Sequence, residues 1–365
     1  MPDVSRRTFA ASCLAPVAVG AGCFLPSVFA GCGGDSREAK TQGGTDDTSI
    51  NGQALTMDFR PSYLALHESG ELQKRGDELW RIMENCRLCP RECGVDRLGG
   101  EVGFCRATSE LFVSSCNPHF GEEAPLVGQG GSGTIFMTHC GLRCVFCINW
   151  EVSHEGRGKE RSIRDLALMM LGLQKIGCHN INIVTPTHYS PHVVKALDFA
   201  AENGLRLPLV YNTCGWERTG ILRMLNGIVD IYLPDFKYAD SDMAVRYSAD
   251  AATYPEVTKT ALLEMHHQVG VAIPGEDGIM RRGLMIRHLV MPNNVGGSKD
   301  VMRWIAGNLP KNTYVNIMSQ YRPVYRASEF PDIDRRIRRR EYAEVVDCAR
   351  DLGLTNLDIQ GYPLL

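Results

Sequence analysis

The sequence lacks a strong bias of charge, a long uninterrupted apolar run and any internal repeat. Its 365 residues contain 39 Lys and Arg against 42 Asp and Glu, for a net charge of −3. This balance gives no electrostatic basis for nucleic-acid binding, and the basic block from Arg335 to Arg340 is interpreted as a solvated helix face. A hydrophobic content of 44% is ordinary for a globular chain with a substantial core and at most two domains.

The N-terminal region lacks the continuous hydrophobicity of a membrane span, because Gly and Pro interrupt its apolar run. That run, Ala10 to Ala30, follows Ser5-Arg6-Arg7-Thr8-Phe9. The pattern is similar to a twin-arginine export signal, so residues 1–32 are predicted to direct the protein to the cell envelope. Phe29-Ala30-Gly31-Cys32 resembles a lipoprotein cleavage box, which would attach the chain to a membrane through a lipid on Cys32. An unprocessed leader on a cytoplasmic protein is the alternative.

Composition divides the rest of the chain. Residues 33–55 are polar and Gly-rich and are predicted to form a flexible linker. Residues 56–125 are predicted to form a helical and cysteine-rich N-terminal segment. Its helix is indicated by one apolar face between about residues 70 and 84, formed by Leu72, Leu79, Ile82 and Met83. Residues 126–330 are assigned to the main domain, and residues 331–365 to a C-terminal helix and tail.

Apolar, strand-like runs alternate with amphipathic helical runs in the main domain. The predicted strands are Thr134 to Met137, Ile181 to Val184, Leu209 to Asn212, Val229 to Leu233, Leu284 to Met291 and Tyr314 to Met318. Two helix starts are readable: Ser162 with Asp165 forms a capping box, and Ser190 precedes Pro191 at a first helical position. The alternation predicts an α/β fold, an open six-unit (β/α)6 partial TIM barrel with its chemistry at the C-terminal ends of the strands.

Three of the fourteen cysteines, Cys140, Cys144 and Cys147, lack a fourth cysteine nearby in the sequence. Structural zinc needs four ligands, and a disulfide framework favours cysteines in even numbers. Three thiolates suit a [4Fe-4S] cluster in which one iron keeps an open position for a non-protein ligand. Phe146 supplies an aromatic side chain beside the third cysteine.

A second cysteine group supplies four thiols and is predicted to form a closed metal site. Its members are Cys86, Cys89, Cys93 and Cys105. Structural zinc and an auxiliary [4Fe-4S] cluster both accept four thiolates, so the metal stays open between them. Disulfides are a third alternative if the chain is exported into an oxidising compartment.

Cys140-x3-Cys144-x-Phe146-Cys147 after a first barrel strand resembles the motif of the radical S-adenosylmethionine (radical SAM) enzymes. Segments between residues 86 and 325, such as HFGEEAPLVGQGGSGTIF, DIYLPDFKY and NIMSQYRP, resemble the functionally obscure homologue branch of pyruvate formate-lyase activating enzymes. The resemblance implies reductive cleavage of SAM to a 5′-deoxyadenosyl radical, with electrons from a low-potential donor such as flavodoxin or ferredoxin. It also implies hydrogen abstraction from a protein substrate, which for the activating enzymes is a glycyl-radical enzyme.

The same resemblance implies particular SAM contacts. Asp235-Phe236-Lys237 matches an Asp-Leu-Lys stretch whose lysine contacts the methionine carboxylate. The usual Gly-Gly-Glu stretch after the second strand is replaced here by Thr185-Pro186-Thr187-His188, so Thr185 and Thr187 are predicted to supply oxygens instead. Two further pocket residues are predicted, Asn212 and His288, with a satisfied core histidine as the alternative for His288.

The sequence also offers further candidate site residues and alternative functions. Glu122 and Glu123 are interpreted as surface carboxylates, with a partner-facing role as the alternative, and Cys214 follows a strand end where a thiol would meet the radical. One competing function is a radical SAM modifier of a peptide or small molecule. Another is an exported iron–sulfur electron-transfer or metal-binding lipoprotein that does not cleave SAM. Formation of 5′-deoxyadenosine separates the last function from the others.

Overall fold

The computed structural model describes residues 59–361 of the chain. The predicted leader (1–32), the predicted linker (33–55) and the lipidation candidate Cys32 lie outside the described residues. Within the described range, no helix is both long enough and apolar enough to cross a membrane. Export and lipid attachment therefore stay predictions from the sequence.

Two helices and a short 3-10 turn lead into the cysteine-rich segment. They are α1 (Tyr63–Glu68), α2 (Glu71–Arg81) and the 3-10 turn Ile82–Asn85. Leu72 and Leu79 of α2 and Met83 of the turn are fully buried, and Ile82 is half-buried, so the predicted apolar face is present although the α-helix ends at Arg81 and a 3-10 turn follows. The full burial of each such side chain contributes about 1.5–3 kcal/mol to folding.

A nine-stranded mixed sheet forms the centre of the described fold. The strands are β1 (Leu111–His119), β2 (Ser132–Met137), β3 (Lys159–Arg161), β4 (Ile181–Val184), β5 (Leu209–Thr213), β6 (Ile231–Pro234), β7 (Gly283–Leu289), β8 (Tyr314–Met318) and β9 (Leu357–Ile359). Their spatial order is β3-β1-β2-β4-β5-β6-β7-β8-β9. β1 pairs antiparallel with β2 and β3, and the remaining neighbours pair in parallel. Because β3 and β9 are edge strands, the sheet is open.

All six predicted strands are present, within a sheet of nine strands, and the count of six β/α units stays a prediction. The sequence pattern did not predict β1. Pro118 lies inside this strand, and its pairing with β2 shifts register between Val113 and Ser115, so no regular alternation of apolar and polar residues marks it. β3 is a short run of exposed charged residues, and β9 is equally short. Pairing of β9 with β8 brings part of segment 331–365 into the sheet, where only a helix and tail were predicted.

Helices connect the strands. They are α3 (Ala124–Val127), α4 (Trp150–Ser153), α5 (Ile163–Ile176), α6 (Ser190–Glu202), α7 (Thr219–Met224), α8 (Ser241–Tyr247), α9 (Tyr254–Val269), α10 (Ser298–Asn308) and α11 (Arg339–Asp351), with 3-10 turns at Thr187–Tyr189, Pro292–Asn294 and Ala327–Glu329. The capping box before α5 is confirmed, since Ser162 Oγ accepts from Asp165 N at 3.0 Å and Asp165 Oδ2 accepts from Ser162 N at 3.0 Å.

Two helix predictions need correction. α6 begins at Ser190 itself, so Pro191 is its second residue, because the preceding 3-10 turn runs directly into the helix. The basic block is mostly irregular chain, since α11 begins only at Arg339. Arg335 is half-buried and pairs with Glu341 at 2.7 Å.

The parallel strands determine where a functional site can form. β4, β5, β6 and β8 are buried along almost their whole length, as expected for parallel strands covered by helices. Since β2 and β4 to β9 run in the same direction, their C-terminal ends meet at one edge of the sheet. The loops that follow these strands therefore converge there.

Candidate functional site

A cavity of about 580 Å³ lies at the C-terminal ends of the parallel strands. In parallel α/β folds this is the edge at which functional loops gather. The predicted site residues that line it are Cys140, Cys144, Phe146, Cys147, Thr185, Asn212, Asp235 and Lys237. Residues from the ends of β2, β4, β5 and β6 are thus brought into a single cavity.

The loop with the three cysteines follows β2 and is held in place by its backbone. His139 N donates to Val152 O at 3.0 Å, and Val145 N donates to Tyr247 O at 2.9 Å. His139 and Arg143 have φ values of 68° and 52°, a left-handed conformation that is uncommon outside glycine. These bends fold the chain back on itself and turn the cysteine side chains toward one cavity.

Each of the three sulfurs has a polar partner that favours the thiolate required for metal binding. The pairs are Ser248 Oγ with Cys144 Sγ at 3.1 Å, Ser153 Oγ with Cys147 Sγ at 3.1 Å, and Leu142 N with Cys140 Sγ at 3.4 Å. Burial acts against these hydrogen bonds and raises the pKa of the Cys144 thiol to about 12, although the Lys237 ammonium lowers this pKa. These buried sulfurs therefore favour a cationic ligand that would stabilise their ionised form.

Cys214 is a fourth thiol in the cavity. A hydrogen bond from Cys214 lowers the pKa of Cys140 to about 6, while the same contact raises the pKa of Cys214. Gly215 next to it has φ of 81° and no room for a Cβ against the Asp235 carbonyl oxygen, so glycine allows this turn to approach β6 closely. Spacing along the chain gave no signal for the contact, because only the folded sheet brings Cys214 to Cys140.

The donor type of the loop is the one that an iron–sulfur cluster takes, since the usual protein ligands of such clusters are thiolates. Among residues 59–361, which include both cysteine groups, no three Cys, His, Asp or Glu side chains stand close enough together in this structure to hold a metal ion. The loop offers three thiols, each paired with a hydrogen-bonding group, on the wall of one cavity.

An ion network lies opposite the cysteines. Asp235 accepts from Lys237 Nζ at 2.5 Å and from Arg287 Nε at 2.9 Å, and Arg287 Nη2 donates to Asn212 Oδ1 at 2.6 Å. Burial alone would raise the pKa of Asp235, but the Arg287 and Lys237 cations hold it below its usual value. Burial likewise opposes the charge on Lys237, and Asp235 raises the pKa of Lys237 above its usual value. The network keeps fixed charges inside a buried cavity.

Thr185 stands at the end of β4 in a strained conformation. Its φ is 61°, which is a genuine outlier for a β-branched residue. A hydrogen bond from Thr185 N to Asn212 O at 2.9 Å holds it there. Backbone strain of this kind clusters at functional sites, and Thr185 lines the cavity as predicted.

Thr187 and His288 do not join the other predicted residues in the cavity. Thr187 is buried and donates to Glu217 Oε1 at 2.5 Å. His288 Nδ1 contacts Phe236 O at 2.6 Å and Nε2 contacts Ser298 Oγ at 2.8 Å, while burial lowers the pKa of His288 to about 4. Both ring nitrogens of a neutral imidazole are thereby used, so His288 is a satisfied core histidine.

Glu122 and Glu123 lie in the cavity, so the expectation that they are surface carboxylates is wrong. They follow β1, the strand that the sequence pattern did not reveal. Asn316 Nδ2 on β8 donates to Glu123 Oε1 at 2.9 Å, and Arg287 Nη1 lies 3.6 Å from Glu122 Oε2. Burial raises the pKa of Glu122 to about 7, with Glu123 adding to the rise and Arg287 opposing it.

Phe146 forms an aromatic wall beside Cys147. Its ring contacts Tyr321 and Tyr238 edge-on, with centroid distances of 5.9 and 6.4 Å. Such contacts fix the ring and add about 0.5–1.5 kcal/mol beyond burial. The aromatic predicted next to the third cysteine is therefore a packed part of the cavity wall.

The second cysteine group lies in a tight hairpin. Cys86 N donates to Val95 O at 2.9 Å and Gly94 N donates to Cys86 O at 3.0 Å. All eleven cysteines of the described range are free thiols, so a disulfide within this group is not formed here. Burial raises the pKa of Cys89 and of Cys105, and neighbouring thiols of the same group add to both shifts.

The two cysteine groups are neighbours. Cys89 Sγ lies 3.5 Å from the position that a Cβ would take on Gly141, the residue after Cys140. Arg91 donates to Gly141 O at 3.0 Å and to Ser248 O at 3.1 Å, so its guanidinium connects the two loops. At the outer end of the second group, Cys93 is exposed.

The fold and site together define an α/β protein with an open mixed sheet and a three-cysteine loop at the C-terminal edge of its parallel strands. No protein-family model matches the chain. The uncharacterized protein MJ0674 of Methanocaldococcus jannaschii is 32% identical to it over 282 residues, which cover 75% of this chain and 76% of the archaeal protein. The chain belongs to the same family as this archaeal protein.

The chain was also compared with solved structures. A radical SAM methyltransferase from Sphaerobacter thermophilus is similar with a TM-score of 0.43 and 13% sequence identity. The similarity covers 83% of this chain and 94% of the methyltransferase. Likeness at this level carries no conclusion about architecture or activity.

Proposed function

We propose that this protein is a radical SAM enzyme that binds a [4Fe-4S] cluster through Cys140, Cys144 and Cys147. The observation that carries the proposal is the meeting, in one buried cavity, of these three thiols with the Lys237–Asp235 pair. A simple electron carrier has no need of a buried cation and a cavity of about 580 Å³ beside its cysteines. With SAM bound, the cluster would supply one-electron cleavage of the sulfonium and an organic radical.

The protein's own residues would bind and orient SAM. Lys237 is a buried ammonium suited to the methionine carboxylate, and its pairing with Asp235 fixes its position. Thr185 and Asn212 offer polar groups at the adjoining strand ends. Phe146 and its aromatic neighbours restrict water at the cysteine side, which protects a reactive intermediate from side reactions.

The second cysteine group is proposed to hold an auxiliary metal site of four thiolates. Zinc would hold the N-terminal hairpin against the sheet domain. An iron–sulfur cluster would do the same and would also relay electrons from a low-potential donor such as flavodoxin or ferredoxin. The contact of Cys89 with Gly141 and the exposure of Cys93 favour the relay, because they join the cavity to the surface. Metal analysis of the purified protein distinguishes zinc from iron and sulfide.

The proposed substrate is a protein, with activation of a glycyl-radical enzyme as the most specific form of the proposal. Modification of a peptide or small molecule by the same chemistry is the alternative. The support for a protein or peptide is the size of the cavity and the apolar side chain of Ile148, which lines the cavity and is 55% exposed. Export through the twin-arginine signal and attachment through Cys32 also stay proposals.

A second function is favoured by one observation. Cys214 next to Cys140 supplies a fourth thiol, and four thiolates would close an iron–sulfur cluster against SAM. In that case the protein would be an electron-transfer or metal-binding lipoprotein of the cell envelope. The buried Lys237 weighs against this function, since a closed cluster leaves it without a ligand.

Production of 5′-deoxyadenosine tests the proposal. The full-length protein is reconstituted with iron and sulfide without oxygen, reduced with dithionite and incubated with SAM, and the product is measured by mass spectrometry. Formation that disappears in Cys144→Ala and persists in Cys348→Ala, a free thiol on α11, supports the radical SAM proposal. Absence of product from protein with full iron and sulfide content supports the electron-transfer function instead.

A further inference from the structure

Three buried oxygen atoms in one corner of the cavity have no hydrogen-bond partner within the described range. They are Glu122 Oε2, Glu123 Oε2 and Asn316 Oδ1. All three side chains line the cavity, and Glu123 and Asn316 are only 5% and 3% exposed. Buried polar atoms without partners are rare in folded proteins and costly to maintain. We call Glu122, Glu123 and Asn316 the acceptor corner, because a bound ligand would have to supply hydrogen-bond donors to their free oxygens.

The acceptor corner is a connected unit. Asn316 Nδ2 donates to Glu123 Oε1 at 2.9 Å, and this bond fixes the amide so that its oxygen is the free atom. Glu122 is the chain neighbour of Glu123, and the two carboxyl groups lie within hydrogen-bonding reach of each other. The free oxygens thus belong to adjacent groups, all of which are acceptors once Glu122 is ionised.

The local charge is unbalanced. Asp235, Glu122 and Glu123 are three carboxyl groups that face two cations, Lys237 and Arg287. Both cations are engaged with Asp235, at 2.5 Å and 2.9 Å. The separation of 3.6 Å between Arg287 Nη1 and Glu122 Oε2 is longer than a hydrogen bond. One negative charge in the acceptor corner therefore has no full partner when both glutamates are ionised.

We propose that the acceptor corner binds a primary ammonium group of the substrate. A primary ammonium has three N–H donors, one positive charge and no acceptor. It therefore matches both the three free oxygens and the missing charge. A carboxylate or phosphate would be repelled, and a neutral carbonyl would leave every free oxygen unsatisfied.

The position of Arg287 assigns this ammonium to the substrate rather than to SAM. Arg287 lies between the acceptor corner and the wall formed by Asp235 and Asn212, both of which it contacts. In the proposed function, the wall formed by Asp235 and Asn212 binds SAM. The assignment of the ammonium to the substrate therefore rests on the proposed function. The substrate class that follows is an amine, such as a lysine side chain or the amino terminus of a peptide.

Binding of a small amine to the full-length protein tests the proposal without any turnover. The probe is Nα-acetyl-lysine methylamide, and its Nε-acetylated form is the uncharged control. Both are titrated at pH 8 and followed by ligand-observed NMR. The wild type is expected to bind the amine and not the acetylated form. Loss of one charge-assisted contact in Glu122→Gln or Glu123→Gln is expected to weaken amine binding at least about tenfold.

Matched controls separate a local effect from unfolding. Glu256→Gln changes an exposed carboxylate on α9, 76% exposed, and is expected to leave amine binding unchanged. Melting temperatures of the glutamate variants are measured in parallel, and the two isosteric single variants guard against the failure of either one to fold.

Several results would overturn the proposal. One is equal binding of both probes, or of neither, by the wild type. Another is unchanged amine binding in both glutamate variants. A loss of SAM affinity in these variants, measured by equilibrium dialysis, would assign the ammonium to SAM instead. Failure to form 5′-deoxyadenosine would count against the proposed function alone, because amine binding is measured independently.

Discussion

The two cysteine groups lie in different surroundings, one in a cavity and one in a hairpin. Cys140, Cys144 and Cys147 line a cavity at the C-terminal edge of the parallel strands. The second group lies in a hairpin outside that edge, where glycines such as Gly94, with φ of 69°, make the turn. Four thiols are enough to close a site, whereas three leave a position open unless Cys214 supplies the fourth. The two groups thus differ in number and place, as expected if one forms the proposed reactive site and the other the proposed auxiliary site.

Their electrostatic surroundings differ as well. The first group faces the buried Lys237, whose cation lowers the pKa of Cys144 against the effect of burial. The second group is approached by Arg97, which is fully buried and has Nη1 3.9 Å from Cys86 Sγ. Arg97 also donates to the backbone oxygens of His188 and Thr108 and so ties the hairpin to the domain. Lys237 lines the cavity, whereas Arg97 holds the hairpin against the domain.

Removing a cysteine of the first group is expected to have the largest effect. Cys144→Ala should lower 5′-deoxyadenosine formation at least about 100-fold, since loss of a ligand weakens cluster binding more than loss of an outer contact does. The measurement is product mass together with iron content and the EPR signal of the reduced protein. Full turnover in this variant would contradict the assignment of the loop. Cys348→Ala is the control for a cysteine change on a helix distant from the cavity.

Removing the cation beside the first group should have the next largest effect. Lys237→Met is expected to weaken SAM binding by about 10- to 100-fold, because a charge-assisted contact to the carboxylate is lost. Equilibrium dialysis measures the affinity directly. The comparison variant is Lys259→Met, whose lysine pairs with an exposed glutamate on the same helix. Equal SAM affinity in the two variants would remove Lys237 from the site.

Amine binding by the acceptor corner is expected to depend on pH. The pKa of Glu122 is raised to about 7, so its carboxyl is protonated below that pH and ionised above it. Amine binding needs the ionised form and is therefore expected to be about tenfold weaker at pH 6 than at pH 8. Titratable and charged groups that face Glu122 or share its surroundings are Glu123, His119, Asp235, Arg287, Tyr314 and Asp358.

NMR titration of the amine probe at both pH values measures this dependence. Glu122→Gln should bind weakly at both, since its amide does not titrate. A wild-type affinity that is flat between pH 6 and pH 8 would rule out Glu122 as the titrating group.

Removing a cysteine of the second group is expected to change dithionite-driven turnover least. Cys105→Ala should keep 5′-deoxyadenosine formation within about threefold, because dithionite can reduce the first cluster directly. It should lose the metal of the second group and lower the melting temperature by about 5–10 °C, as expected when a structural site is lost. Turnover driven by flavodoxin should fall much more if the second group relays electrons. A loss of dithionite-driven turnover equal to that of Cys144→Ala would contradict the division between the two groups.

The central strands and the cysteine loop could be predicted from the sequence because their signals are local. Apolar runs such as Ile181–Val184 identify buried strands, and the spacing of Cys140, Cys144 and Cys147 identifies the loop. The remaining site residues depend on which strands become neighbours. Glu122 looked like a surface residue because β1, which carries it into the cavity, is interrupted by Pro118.

Long-range contacts explain the other differences. Cys214 reaches Cys140 only because β4 and β5 line up beside β2. Arg287 and His288 are adjacent on β7, and successive side chains of a strand point to opposite faces. Arg287 therefore lines the cavity while His288 points into the core, a choice that the sequence left open.

The exposure of Cys93 has a consequence for how the protein would fail in air. Oxidants attack accessible cysteines first, and Cys93 is exposed whereas Cys144 is buried. Damage by oxygen would therefore begin at the outer group and leave the cavity intact for a time. If the second group relays electrons as proposed, the protein would then lose its supply of electrons before its cavity cysteines were damaged, and recovery would need a thiol reductant as well as metal.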